Sequence, residues 1–209
     1  TKKNKKESDI CVIFVNGILG SISRLQSTVD ILEEKLDKPV DLIYNATDCL
    51  CIDIIESLIG KETTTLTEPD MIAFTTISKK LFNSQIKKVI VISYSQGTII
   101  LAKVLQTLKR MGIKDETYLK KLEVYAISNC SSKMNYIYNK LPYIENLANK
   151  HDFVAKLGCN APDEISDIIS IDGVTYIDNY GYGHFLNEHY LLNFEKKFPK
   201  SKLITYFKK

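Results

Sequence analysis

Three side chains in this sequence are of the types that build a nucleophilic relay, namely a serine in a tight turn, a carboxylate and a histidine, in that order. Ser95 lies within Ser93-Tyr94-Ser95-Gln96-Gly97. Four consecutive aliphatics, Val89 to Ile92, precede it, and apolar residues at Leu101, Val104, Leu105 and Leu108 follow. The first run reads as a strand covered on both faces and the second as an amphipathic helix. Ser95 therefore falls at the tip of a strand-to-helix turn, although a serine there is also ordinary turn chemistry. An alcohol is a poor nucleophile at neutral pH and needs an adjacent base, usually a histidine whose second nitrogen is held by a carboxylate. Of the three histidines, His184 follows Tyr180-Gly181-Tyr182-Gly183, a glycine-rich loop able to swing it over Ser95. His189 belongs to the terminal helix, and His151 falls on the wrong side of its own turn. The polar run Ser128-Asn129-Cys130-Ser131-Ser132 holds no carboxylate, so the next strand end must supply the acid. Asp152 is the first candidate there, with Asp178 and Asp163 behind it. The plain structural roles are a surface or capping histidine for His184 and a helix N-cap at Phe153-Val154-Ala155 for Asp152.

The elements that must position these residues alternate along the chain. Ile10 to Val15 reads as a strand that ends in Asn16-Gly17-Ile18-Leu19-Gly20, where two glycines mark a loop. Ser23 with Gln26 resembles a capping box, and Leu25, Val29, Leu32 and Leu36 trace one helical face until Pro39. Val40 to Tyr44 is the second strand, which completes a βαβ unit with parallel pairing and a right-handed crossover. Asp48 to Gly60 shows helical spacing, Thr63 to Thr67 reads as a loop, and Pro69 opens a helix through Met71, Phe74, Ile77 and Leu81. Beyond the Ser95 unit, strands are expected at Leu122 to Ile127, at Tyr143 to Leu147 and at Ile168 to Ile177, the last broken by a turn at Asp172-Gly173. A terminal helix through Leu186, Tyr190, Leu191 and Phe194 closes the pattern. The expected fold is α/β, a doubly wound, mostly parallel sheet of about six strands with helices on both faces. In such sheets ligands bind beyond the carboxyl ends of the strands.

Composition narrows the function classes. With 44% hydrophobic and 25% charged residues in 209, residues 10–209 read as one domain with an ordinary core, preceded by a flexible basic tail at 1–9. A net charge of +3 and the lack of an aromatic-lined basic stripe argue against nucleic acid. Membrane contact through Lys2-Lys3-Asn4-Lys5-Lys6 stays open but is not indicated. No apolar run is long enough to cross a bilayer. No signal peptide precedes Ile10, and since the chain opens on Thr1, an upstream targeting or anchoring segment stays open. The five cysteines are odd in number and lack framework spacing, which favours reduced thiols and a cytoplasmic setting. Cys49-Leu50-Cys51 has no partner cluster for a metal, so no metal is expected.

The Ser93-Tyr94-Ser95-Gln96-Gly97 turn resembles the nucleophile elbow of α/β-hydrolases, G-x-S-x-G, with Ser93 in place of the first glycine. The order Ser95, Asp152, His184 is also that of the α/β-hydrolases. From Ile10 to about Tyr190 the chain resembles compact bacterial lipases and esterases of this superfamily. The resemblance implies a minimal α/β-hydrolase fold, a Ser95-Asp152-His184 triad, and an oxyanion hole formed by the backbone N–H groups of Ile18 and Gln96. Asn16-Gly17-Ile18 stands where such lipases usually have His-Gly. That replacement bears on the geometry of the loop rather than on the chemistry.

The expected reaction is a two-step acyl transfer on a carboxylic ester, lipid ester or thioester, without cofactor. His184 takes the Ser95 proton, protonates the leaving group, and then activates water against the acyl-enzyme. Two other readings use the same residues: a catalytically inactive hydrolase-like binding module, and an acyltransferase in which another acceptor outcompetes water. Leu19, Ile22 and Tyr94 are candidates for a hydrophobic cleft. The segment Tyr136, Ile137, Tyr138, Leu141 and Tyr143 is a candidate lid or acyl pocket, with packing against the sheet as its plain alternative.

Overall fold

The computed structural model describes residues 9–17, 21–45 and 66–208. Strand β1 (Ile10–Val15), helix α1 (Ile22–Leu36) and strand β2 (Val40–Ile43) open the chain. Helix α2 (Glu68–Leu81), strand β3 (Lys88–Tyr94) and helix α3 (Gln96–Arg110) follow. Then come β4 (Leu122–Ile127), the two-residue β5 (Lys133–Met134), β6 (Tyr143–His151), the two-residue β7 (Ser170–Ile171) and β8 (Val174–Tyr182). Six strands form one sheet in the order β2-β1-β3-β4-β6-β8, and every pairing in it is parallel. The protein is thus α/β, as expected.

The alternation of side chains along each strand divides the core into two layers. Ile13 and Val15 of β1 and Val89 and Val91 of β3 pack with Ala73, Ile77 and Leu81 of α2 and with Leu101, Val104, Leu105 and Leu108 of α3. Val12, Phe14, Ile90 and Ile92 face the other way, onto Leu25 and Leu32 of α1 and onto Tyr190, Leu191, Phe194 and Phe198. The central strands are covered on both sides, which is why they read as unbroken apolar runs.

Several boundaries differ from expectation, each for a local reason. α1 begins at Ile22, not after Ser23: Ser21 is extended, and its Oγ accepts from Arg24 N–H at 3.3 Å. Gln26 instead reaches forward to Asp30. The buried face of α2 includes Asp70 and Ala73, while Met71 is half exposed. Asp70 caps that helix by accepting from the Thr67 N–H at 2.8 Å. β6 runs to His151, past Leu147, because its buried amides are held: Asn146 accepts from the Asn129 side chain and donates to the Asp172 carbonyl, and Asn149 donates to the Tyr182 carbonyl. The break expected at Asp172-Gly173 is present, with Gly173 at φ 99°. It separates β7, paired with β5, from β8, which continues to Tyr182. Asp178, Asn179 and Gly181 look like turn residues in sequence, but β8 is an edge strand and tolerates them. The terminal helix is replaced by a π-helical turn, Leu186–Leu191, and the short helix Phe194–Lys197. The helix expected at 48–60, Cys49 and Cys51 fall outside the described residues, as does most of the threonine-rich loop. Among the described residues no helix is long and apolar enough to cross a membrane.

Candidate active site

Because all six strands are parallel, their carboxyl ends share one edge, and four polar residues follow within two residues of a strand end. Ser95 comes after β3, Ser128 after β4, Asp152 after β6, and His184 two residues after β8. Adjacent strands lie about 4.8 Å apart, so β8 is roughly 14 Å from β3 and the chain beyond Tyr182 must fold back across the edge. Asn149 holds that return: its Nδ2 donates to the carbonyls of Tyr182, Gly183 and His189. Gly183 makes the bend at φ 75°, and a Cβ there would lie 2.2 Å from His189 Nδ1. The Tyr94 hydroxyl donates to the His184 carbonyl, and the two rings stack with centroids 5.0 Å apart. His184 is therefore fastened, rather than carried on the swinging loop expected from Tyr180 to Gly183.

The three predicted side chains meet. Ser95 Oγ is 3.0 Å from His184 Nε2 although the two residues are 89 apart in sequence. His184 Nδ1 lies 3.1 Å and 3.0 Å from the two carboxylate oxygens of Asp152. Asp152 is fully buried, and the His184 side chain is 21% exposed. Oδ1 of Asp152 accepts from Val154 N–H at 2.9 Å, so the expected capping contact exists alongside the contact to the imidazole. Oδ2 accepts from the hydroxyls of Tyr190 at 2.6 Å and Ser128 at 2.7 Å. Burial by itself would raise the Asp152 carboxyl. The hydrogen bond and charge of His184, with the Tyr190 and Ser128 hydroxyls, outweigh it and hold the group below its ordinary range.

The turn around Ser95 is under local strain. Ser95 sits at φ 54°, ψ −128°, a region sparsely populated by residues with a Cβ. Close packing enforces it. A Cβ on Gly97 would lie 2.3 Å from the Val15 carbonyl oxygen, and one on Gly17 would lie 2.7 Å from Ser95 Cβ. Ser93, at the position of the motif's first glycine, fits between β1 and β4, but its buried Oγ has no hydrogen-bond partner. Asn16 closes the neighbouring loop, donating to the Gly17 carbonyl at 2.7 Å and accepting from Asn45 N–H at 2.7 Å. Asn16 thus ties the end of β1 to the end of β2.

Other candidates separate from this cluster. His151 is exposed at the end of β6. His189 uses Nδ1 to accept from Phe185 N–H at 3.0 Å. Asp178 lies 4.0 Å from Lys197 and accepts from Tyr180 N–H, and Asp163 is in the first turn of an exposed helical segment. Gln96 is the first residue of α3, so its N–H is among those with no partner inside the helix. Ile18 and Leu19 lie outside the described residues. Tyr136 and Tyr138 do not line this edge. The Tyr136 hydroxyl donates to the Ile113 carbonyl, and Lys114 lies over the Tyr138 ring. Both partners lie past the far end of α3, about 22 Å of helix from Ser95. Tyr94 serves to hold His184, and the exposed ring beside the imidazole is Phe153, at 5.8 Å.

Sequence reasoning missed Ser128, Tyr190 and Asn149 as parts of this cluster. Ser128 and Asn149 had one usable signal, a polar residue at or near the carboxyl end of a strand in an open α/β sheet. Tyr190 had none, since its spacing is that of an ordinary core position. Among the described residues no group of three or more His, Cys, Asp or Glu is arranged to hold a metal.

Fold and site define an α/β protein with an all-parallel six-stranded sheet and a Ser-His-Asp chain of contacts at its carboxyl edge. Compared with models of protein families and with curated proteins, the sequence matches none.

Proposed function

We propose that this protein is a serine hydrolase of the α/β-hydrolase type that cleaves carboxylic esters, thioesters included, through an acyl-enzyme on Ser95. The observation that carries the reading is the 3.0 Å contact between Ser95 Oγ and His184 Nε2, backed by Asp152 on the other ring nitrogen. Turn chemistry accounts for a serine in this position, and capping accounts for an aspartate. Neither accounts for an imidazole brought across three strands to bridge them. The strained φ of Ser95 supports the same reading, since such cost persists where surrounding structure over-determines it, commonly at reactive sites.

In the proposed reaction, His184 Nε2 takes the Ser95 proton as Oγ attacks the acyl carbon. The imidazolium, held by the Asp152 carboxylate, then gives that proton to the departing oxygen or sulfur. Water reverses the sequence and frees the acid and the serine. The N–H of Gln96, at the head of α3, is the donor we assign to the developing oxyanion, with Ile18 as its expected partner; such donors are each worth about 3–4 kcal/mol. Half-exposed Phe153, with its ring 5.8 Å from the His184 ring, supports esters with apolar acyl or alkyl groups. The free thiols Cys11, Cys130 and Cys159 support a reducing compartment, the cytoplasm by our reading.

The test is Ser95→Ala assayed against short and long p-nitrophenyl esters, together with a fluorophosphonate probe. Loss of turnover and of labelling, with folding intact, is expected. Turnover unchanged in Ser95→Ala rejects the proposal, and product analysis with an added alcohol acceptor separates hydrolysis from acyl transfer.

A further inference from the structure

We propose that Ser128 is a positioning residue of this relay: its hydroxyl braces the Asp152 carboxylate and, together with that carboxylate, holds His184 as the tautomer that carries its proton on Nδ1. The inference rests on the hydrolase reading above and extends it to a residue outside the serine-acid-base set.

Ser128 follows β4, the strand between the one that leads into Ser95 and the one that leads into Asp152. It is fully buried, sits in left-handed backbone at φ 50°, and is pinned by its own N–H, which donates to the Leu147 carbonyl at 2.8 Å. Its Oγ is 2.7 Å from Asp152 Oδ2 and 3.1 Å from His184 Nδ1, so this one atom touches both members of the pair. A serine hydroxyl has a single proton, and an ionised carboxylate can only accept. The proton of Ser128 therefore goes to Asp152, and what it turns toward the imidazole is a lone pair. Nδ1 satisfies that geometry only if it is protonated, which leaves Nε2 free to accept from Ser95. The opposite tautomer would set the Nδ1 lone pair against the Ser128 oxygen at 3.1 Å as well as against the Asp152 carboxylate at 3.0 Å. Tyr190 does not duplicate this role. It shares Oδ2, but its oxygen accepts from Asn149 N–H at 3.1 Å.

The other titratable groups facing the pair are Tyr94 of β3, Cys130 beyond β4, Cys159, and Tyr190 of the π-helical turn. Burial pushes each of them upward. Farther out, Arg24 of α1 is paired with Glu188. Near neutral pH the charge directly against the imidazole is thus that of Asp152, and Ser128 and Tyr190 temper it by donating to Oδ2.

The experiment compares Ser128→Ala with Ser128→Gly. Both remove the hydroxyl, but only glycine relaxes the positive φ, so backbone effects and hydroxyl effects separate. In each variant kcat should fall about tenfold, the factor associated with one hydrogen bond to an ionised acceptor, with KM changed less than about twofold. The acid limb of the kcat/KM profile should move upward, because a carboxylate with one donor fewer turns more of its charge on the base it faces. In proton NMR, the downfield Nδ1–H resonance of His184, assigned by its loss in His184→Gln, should broaden or move upfield in both variants. An unmoved limb and an unmoved resonance overturn the proposal, and so do losses that differ between Ala and Gly in step with their stabilities. If the wild-type protein shows no Ser95-dependent turnover, the hydrolase reading fails separately, and the imidazole spectra still decide whether Ser128 helps hold the tautomer.

Discussion

Replacing Ser95 by glycine should give a more stable protein than replacing it by alanine, the reverse of the usual order. The reason is the backbone at this residue, φ 54° and ψ −128°, which glycine enters freely and a residue with a Cβ does not. Alanine keeps the Cβ and the strain and loses only the hydrogen bond to His184, a deficit of about 0.5–1.5 kcal/mol. Glycine loses the same bond but releases strain of about 1–3 kcal/mol. Against that stands about 0.5–1 kcal/mol for the extra freedom of glycine in the unfolded chain. The difference favours glycine by about 1 kcal/mol, or roughly 2–4 °C in Tm for a chain of this size. Urea denaturation of the two variants, with a shared m-value, measures it. If the hydrolase proposal holds, both variants also lose at least about 10⁴-fold in ester turnover, since both lack the nucleophile. An alanine variant as stable as the glycine variant, or more so, would show that Ser95 is not strained and would remove that support for a reactive turn.

Two further outcomes follow from the packing. Gly97→Ala should cost about 3 kcal/mol or more, because the new Cβ would meet the backbone oxygens of Val15 and Asn16 at 2.3 Å and 2.7 Å, and neither can swing aside; a thermal melt within a degree or two of wild type would contradict the packing described. Glu123 carries the main pH effect expected on stability. Burial raises its carboxyl, but Lys202, Lys88, Tyr125 and Tyr206 together bring it down to about 2. Because the folded value lies below the unfolded one, this contribution is complete above about pH 4.5 and is lost as pH falls toward 2, on the order of 3 kcal/mol in all. Glu123→Gln should be less stable at pH 7 and should flatten the loss of stability between pH 4.5 and 2. An unchanged acid slope would refute the assignment.

Periodicity and turn chemistry, both local, located β1, β3 and β4 closely and placed Ser95 on the turn between β3 and α3. Val89 to Ile92 could be recognised without knowing their neighbours, because a strand covered on both faces needs apolar side chains throughout. Residues whose environment is set by distant chain were harder to read. Tyr180 to Gly183 looked like a free loop, yet most of it is edge strand, and Asn149 from the neighbouring strand fastens the remainder. Tyr136 and Tyr138 looked like pocket residues until their partners, Ile113 and Lys114, proved to sit past the opposite end of α3.

By itself, the sequence determined the alternation of strand and helix, and with it a parallel sheet whose carboxyl ends share an edge, since short βα units with continuous apolar strands have few other ways to bury themselves. It also marked Ser95, Asp152 and His184 as side chains near that edge, but not Ser128, Asn149 or Tyr190. Only the tertiary structure decided that Ser95 and His184 meet at 3.0 Å, that Asp152 faces the other ring nitrogen, and that Ser128 and Tyr190 share its oxygen. Hydrogen-bond geometry is fixed to tenths of an ångström by the register of four strands and the closing of long loops. No local pattern of residues encodes distances between points 89 residues apart.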